Sequence, residues 1–205
     1  MAKNLFPETI DKISNELTPM VATARLIKQE HPDASVVFIG PCASKKLEAS
    51  RRTVRSDVDF VITFEELTGM FEAKGILLDE IKAMDEMKDA TAAGRGYGVA
   101  GGVANAIKEC IEQYYPGTPV NIQHAESLAE CKKALLLAKA GKMNGCLIEG
   151  MACPGGCIAG AGTNIAIPVA ARAVDKFKNE AEKKVPDESV DQELSLIHIS
   201  EPTRR

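Results

Sequence analysis

The sequence predicts an α/β fold, a mostly parallel β-sheet flanked by helices, and three observations carry that prediction. Short β-branched apolar runs alternate with helical stretches four times along the chain, the order that builds βαβ units. Gly40-Pro41 closes the first run, so it is a short strand and not the start of a helix. The 205 residues, 45% hydrophobic and 26% charged, suit one domain of ordinary core or one piece of a larger domain.

The elements follow in order. Thr18 and Pro19 are an N-cap and N1 pair that opens a helix to about Lys28, with Val21, Ala24, Leu26 and Ile27 on its apolar side. Ser35 to Ile39 is a buried strand, and Cys42 sits just beyond its end. Phe60-Val61-Ile62-Thr63 is a second strand, leading to a helix over about Glu65 to Ala73 that Gly75 stops; Ile76 to Met87 is expected to be helical too. Five glycines in nine residues make Gly94 to Gly102 a tight loop before a helix over Val103 to Tyr114. Val120 to Gln123 is a third strand, and Ser127 caps a helix to about Ala140. Gly145 to Glu149 is a fourth strand running into Met151-Ala152-Cys153, and a last helix spans about Val169 to Lys184.

Composition excludes several classes of function. With 25 Lys and Arg against 29 Asp and Glu the formal net charge is -4, and Lys45, Lys46, Arg51, Arg52 and Arg55 form only one short basic stretch, read as a solvated helix face. No nucleic-acid partner is expected. No apolar run approaches the roughly 20 residues of a membrane span, and Met1 to Glu8 lacks the apolar core of a secretory signal, so the expected compartment is the cytoplasm. In that reducing setting the six cysteines are thiols, metal ligands or redox groups. Residues 1–185 are expected to form one partial domain, followed by a polar linker over 186–193. Residues 194–205 resemble translated read-through of a sequencing adaptor and are set aside, His198 with them.

In parallel sheets ligands gather beyond the carboxyl ends of the strands, where loop amides and helix N-termini converge. Cys42 and the pair Cys153 and Cys157 all fall at that edge, so the three thiols are expected to meet in space. In Cys153-Pro154-Gly155-Gly156-Cys157 the absence of bulky side chains lets backbone approach a large inorganic body closely. An iron-sulfur cluster suits that pattern. Zinc sites more often pair two cysteine knuckles, and neither His31 nor His124 has a spacing that suggests one. On spacing alone, zinc and ordinary buried thiols remain alternatives.

Two longer stretches narrow the choice. Phe38-Ile39-Gly40-Pro41-Cys42-Ala43-Ser44-Lys45-Lys46-Leu47-Glu48, with Arg51, resembles the second signature of the iron-only (di-iron) hydrogenases, and Glu149-Gly150-Met151-Ala152-Cys153-Pro154-Gly155-Gly156-Cys157 resembles the third. Asp57 to Thr63, Glu66-Leu67 and Gly101-Gly102-Val103 are similar to that family in order and spacing. The resemblance covers roughly residues 8 to 165. It implies reversible hydrogen oxidation and proton reduction at an H-cluster, a 4Fe-4S cubane joined through a cysteine sulfur to a di-iron unit with CO, cyanide and dithiolate ligands. By resemblance Cys42 and Cys153 ligate the cubane, and Cys157 ligates it while bridging to the di-iron unit. Lys45 would offer its ammonium to a cyanide, the anionic partner that such a buried cation needs; Met151 would pack on the di-iron unit. Pro41, Tyr97 and Gly98 would line the same pocket, with Tyr97 where the family usually places Phe, and Ser14 would match a serine on its proton path.

The chain also departs from the family. The first signature, whose cysteine pair supplies the fourth cubane ligand, is expected upstream of Met1, so a missing upstream segment is one implied partner and a ferredoxin or other low-potential electron carrier is another. Cys110, Cys131 and Cys146 are read as ordinary buried thiols and not as substitutes. Gly40 replaces a Met, and Gly160-Ala161-Gly162-Thr163 replaces a more uniform glycine run. Such changes leave open an iron-sulfur module without hydrogenase activity, either a hydrogen sensor or a relative of the cluster-assembly proteins akin to nuclear prelamin A recognition factor.

Overall fold

The computed structural model describes residues 1–51, 56–82 and 89–185. Its elements in chain order are α1 (Ala2–Leu5), α2 (Pro19–Glu30), β1 (Val37–Ile39), α3 (Ser44–Ser50), β2 (Phe60–Ile62), α4 (Phe64–Ala73), α5 (Ala92–Arg95), α6 (Gly102–Tyr114), β3 (Asn121–Glu126), α7 (Leu128–Lys139), β4 (Cys146–Met151) and α8 (Ile167–Asn179). Single 3-10 stretches lie at Pro7–Lys12, Leu78–Glu80, Gly96–Gly98 and Cys157–Ala159. All strand pairing among the described residues is parallel, as expected, in two pairs of two: β1 with β2, and β3 with β4. Each pair is closed by a crossover helix, α3 or α7, because parallel neighbours cannot be joined by a tight turn.

The chain divides into two compact units. One draws on Asn15–Met87 and Gly160–Ile165. Its core is Met20, Val21, Ala24, Val36 and Val58, joined by Leu17, Ile27, Phe38, Ala49 and Val61, so α2 packs on the Phe38–Val61 side of the strand pair. Val37, Ile39 and Phe60 point the other way and are exposed. The pair is pinned at its start by Asp59, whose carboxylate accepts from the Val36 amide at 2.7 Å and from Lys28 at 3.0 Å. Those two partners, the amide first, hold the Asp59 carboxyl below its ordinary range. Thr18 is the N-cap residue of α2 and Pro19 lies in its first turn, but the Thr18 hydroxyl donates to Glu48 Oε1 at 2.5 Å and caps nothing.

The other unit draws on Met1–Ser14, Lys88–Ala159 and Ala166–Val190. Here β3 and β4 pair over six residues each, from Asn121 opposite Cys146 to Glu126 opposite Met151. Ser127 caps α7 as expected, its Oγ accepting from the Glu130 amide at 3.1 Å. The last helix ends at Asn179 and not at Lys184, because the Lys183 and Lys184 carbonyls accept from the Ala92 and Ala93 amides instead of from a further helical turn. That same docking, with Thr91 Oγ1 accepting from Gly94 N at 3.1 Å, turns the first part of the expected Gly94–Gly102 loop into α5 and a 3-10 turn.

The helix expected over Ile76 to Met87 is absent across 76–82, where only the 3-10 turn Leu78–Glu80 forms. Gly75 is left-handed, with φ +67°, and the Ile76 amide is spent on closing α4 through Phe71 O at 2.9 Å. Ile76, Leu77, Leu78 and Ile81 are all exposed, so no apolar stripe is buried there to hold a helix. Residues 83–87 of that expectation, Arg52 and Arg55 of the basic stretch, the linker over 186–193 and the tail over 194–205 lie outside the described residues. Within the basic stretch Lys45 and Lys46 are not simply solvated but ion-paired, with Glu48 and Glu66.

The start of α4 is fixed by a capping box: Glu66 N donates to Thr63 Oγ1 at 3.2 Å and Thr63 N donates to Glu66 Oε2 at 2.8 Å. Thr63→Ala removes one half of this box at a buried position, and urea unfolding is expected to show a loss of about 1 kcal/mol.

Candidate functional site

Each unit carries one cysteine turn at the carboxyl end of its strand pair, and each turn is shaped by glycine. In the first, β1 ends at Ile39 and the Gly40 amide continues the ladder by donating to Ile62 O at 3.1 Å. A Cβ on Gly40 would stand 2.8 Å from the Phe38 ring, so no larger residue fits unless that ring moves. The half-buried Cys42 follows, and its carbonyl accepts from Lys45 N at 3.3 Å as the chain enters α3. Gly162 straps the turn from outside: its amide donates to Pro41 O at 2.9 Å and its carbonyl accepts from Glu65 N at 3.1 Å. A Cβ there would overlap Thr63, with Cγ2 only 2.6 Å away.

Lys45 is half-buried, and its ammonium is met by Glu48 Oε2 at 2.6 Å, while Glu48 Oε1 takes the Thr18 hydroxyl. Burial alone therefore demands no external anion at Lys45, since Glu48 supplies a partner within α3. An ammonium has three protons to donate, so one ion pair does not exhaust it.

In the other unit, β4 delivers Met151, half-buried, into Ala152 and the turn Cys153 to Cys157. Gly155 and Gly156 are both left-handed, with φ +89° and +92°. The turn closes on itself through Gly156 N to Cys153 O at 3.0 Å, and it docks on the glycine-rich segment before α6 through Ala100 N to Gly155 O at 3.1 Å. A Cβ on Gly156 would stand 2.5 Å from Ala100 N and 2.8 Å from Gly98 O. The contact is thus backbone against backbone, and it places Tyr97 and Gly98 on the segment facing the turn. Cys153 is half-buried and Cys157 exposed, and none of the six cysteines is in a disulfide among the described residues.

Sequence reasoning missed two carboxylates that hold this arrangement. Glu149 is buried on β4, where its Oε2 accepts from Gly101 N at 2.5 Å and lies 3.2 Å from His124 Nδ1, while its Oε1 accepts from Val103 N and Ala104 N, both at 3.1 Å. Glu126, at the end of β3, accepts from Gly155 N at 3.0 Å. A charged residue at an inward position of an apolar strand was the available signal for Glu149.

The other expected residues sort simply. Cys131 donates to Ala125 O at 3.6 Å and Met151 O at 3.8 Å, and Cys146 accepts from Asn121 Nδ2 at 3.3 Å, which suits ordinary thiols. Ser14 is exposed, beyond the 3-10 turn Pro7–Lys12. Tyr97 is half-buried; burial first, and the Cys110 thiol second, push its phenol above the ordinary value of 10.0. Among the described residues no three His, Cys, Asp or Glu side chains gather as ligands for one metal ion. No described helix is long and apolar enough to cross a membrane.

A family model described as iron only hydrogenase large subunit, C-terminal domain, matches residues 1–161. The periplasmic Fe hydrogenase large subunit of Nitratidesulfovibrio vulgaris is 27% identical over 217 residues, covering 85% of this chain and 51% of that protein. Iron hydrogenase 1 of Clostridium pasteurianum is 26% identical over 202 residues, covering 78% of this chain and 35% of that protein. This chain therefore spans about half the length of these hydrogenases, or less. A cytosolic Fe-S cluster assembly factor of Kluyveromyces lactis is 39% identical over 69 residues, 34% of this chain and 15% of that protein. Among solved structures, a variant of FeFe-hydrogenase HydA1 from Chlamydomonas reinhardtii superposes with a TM-score of 0.75 at 21% identity, covering 100% of this chain and 70% of that chain. The shared fold bears out the α/β reading of the sequence.

Two substitutions test this geometry. Gly156→Ala forces a Cβ into backbone at a left-handed position, and thermal or urea unfolding is expected to show a loss above the roughly 1–3 kcal/mol of the backbone strain alone. For Tyr97 the folded pKa is raised, so the neutral phenol's stabilisation is complete below pH 10.0 and is lost as pH rises through the folded value. Tyr97→Phe is expected to flatten that alkaline loss, measured as the urea midpoint between about pH 9 and 11.

Proposed function

This chain belongs to the family of C-terminal domains of iron-only hydrogenase large subunits, and from that premise we propose that it is part of a catalytic domain that interconverts hydrogen with protons and electrons at an H-cluster. The observation that carries the reading is the family match over residues 1–161, which takes in both cysteine signatures up to Cys157. Because the chain spans only about half of the hydrogenases it matches, or less, the activity is proposed for the complete protein.

The residues present fit the group the family carries. Cys153 and Cys157 flank a turn whose Gly155 and Gly156 present no Cβ, and Cys42 follows a turn with the same economy of side chains at Gly40. Neighbouring protein fills the places of the missing side chains, the Phe38 ring at Gly40 and the Gly98–Ala100 backbone at Gly156, so the fit rests on donor chemistry: thiolates are the donors iron-sulfur clusters take. Cys42 and Cys153 would hold the cubane through their thiolates, and Cys157 would serve both the cubane and the di-iron unit. When bound, the group supplies an electron store beside an open iron site at which two protons and two electrons become hydrogen, or the reverse.

The chain's own side chains have narrower tasks. Lys45, oriented by Glu48, keeps ammonium protons for a cyanide ligand. Met151, Pro41, Tyr97 and Gly98 are proposed to exclude water with apolar surface, and Ser14 to pass a proton through its hydroxyl. The fourth cubane ligand is assigned to upstream polypeptide of the complete protein and the electron supply to a ferredoxin or similar low-potential carrier. Six cysteines without a disulfide suit a cytoplasmic setting, although one relative is named periplasmic.

The 69-residue similarity to a cluster assembly factor favours one second reading, an iron-sulfur module without hydrogen chemistry. Anaerobic reconstitution with and without a supplied upstream segment separates the two. Iron and sulfide bound only with the segment, lost in Cys153→Ser and Cys157→Ser, with hydrogen evolution that Lys45→Met lowers about 10–100-fold, is the expected result. Bound cluster with no hydrogen evolution supports the second reading, and zinc without iron overturns both.

A further inference from the structure

Among the described residues three helices take their caps from the residue just before them: Thr63 for α4, Thr91 for α5 and Ser127 for α7. The helix α6 cannot, because its N-cap is Gly101, left-handed at φ +86° and without a side chain. Its first amides are met by Glu149, which stands on a strand and not on the helix. The Glu149 side chain is only 7% exposed, and a carboxylate that deep is tolerated because three amides and the positive end of a 13-residue helix dipole converge on it.

The strand that carries Glu149 is also the strand that runs directly into Cys153. The segment that Glu149 grips at Gly101 is the one whose Ala100 amide is bonded to Gly155 O and whose Gly98 carbonyl blocks any Cβ on Gly156. One carboxylate therefore ties the segment before α6 to the root of the cysteine turn, while the Ala100–Gly155 bond ties it to the tip. We propose that Glu149 is a positioning residue: by gripping the start of α6 from β4 it sets the register of the Tyr97–Gly102 segment against the Cys153–Cys157 turn. This deepens the proposed function, because that register would matter to a cluster held by Cys153 and Cys157, yet its test reads backbone amides and needs no iron.

The test is residue-resolved amide hydrogen exchange on the full chain without cluster. In the native protein Ala100, Gly101, Val103 and Ala104 are expected to open together with one common free energy, as a single cooperative unit. Glu149→Gln, which removes the charge and one accepting oxygen, is expected to speed all four about tenfold or more, with Gly40 and Phe60 in the other unit unchanged. Retained protection at Ala100 while the other three lose theirs would reduce Glu149 to a helix cap and overturn the proposal. If the variant does not fold, the native protein decides: Ala100 opening independently of the other three also overturns it. Failure to bind iron, by contrast, bears only on the proposed function.

Discussion

At Gly156 there is no room for a side-chain carbon, and the rest of the site is arranged around that exclusion. The turn's backbone lies directly on the backbone of Gly98 to Ala100, so the two segments meet without any side chain between them. Contacts this close are unforgiving, because protein interiors relax only by small amounts around an added atom. They also leave main-chain polar groups that need partners, and both segments find them, in each other and in the Glu126 and Glu149 carboxylates.

The second cysteine turn obeys the same rule by different means. There the strap at Gly162 lies against Thr63, and the capping box that starts α4 is built on that same threonine. One buried hydroxyl side chain thus serves helix initiation and, through the strap's bond to Pro41, the approach to Cys42. The ion pair between Lys45 and Glu48 and the Thr18 hydroxyl add a polar chain along α3 that links the start of α2 to the lysine of the signature.

Much of this was legible in the sequence. Periodicity located all four strands to within a few residues, and the cap at Ser127 follows from residue type and place, whereas the cap at Thr63 reads as the end of a strand. What sequence could not deliver were partners distant along the chain. Nothing local says that Thr18 would spend its hydroxyl on Glu48, that Lys183 and Lys184 would offer carbonyls to α5, or that Glu149 would cap a helix 46 residues earlier. The helix missing across 76–82 was a failure of a different kind, because apolar residues were counted without asking what they would bury against. Lys45 shows a related limit: its first ionic partner, Glu48, lies one turn along its own helix and was not named from the sequence.

The bareness of the cysteine turn has a practical side for anyone redesigning it. Of its five residues, two are thiols and two are glycines whose left-handed backbone admits no other L-residue without strain. Pro154 is exposed and carries neither demand. Variation aimed at solubility or at attaching a reporter therefore has one usable handle in the motif, and libraries randomised across all five positions would spend most of their diversity on dead sequences.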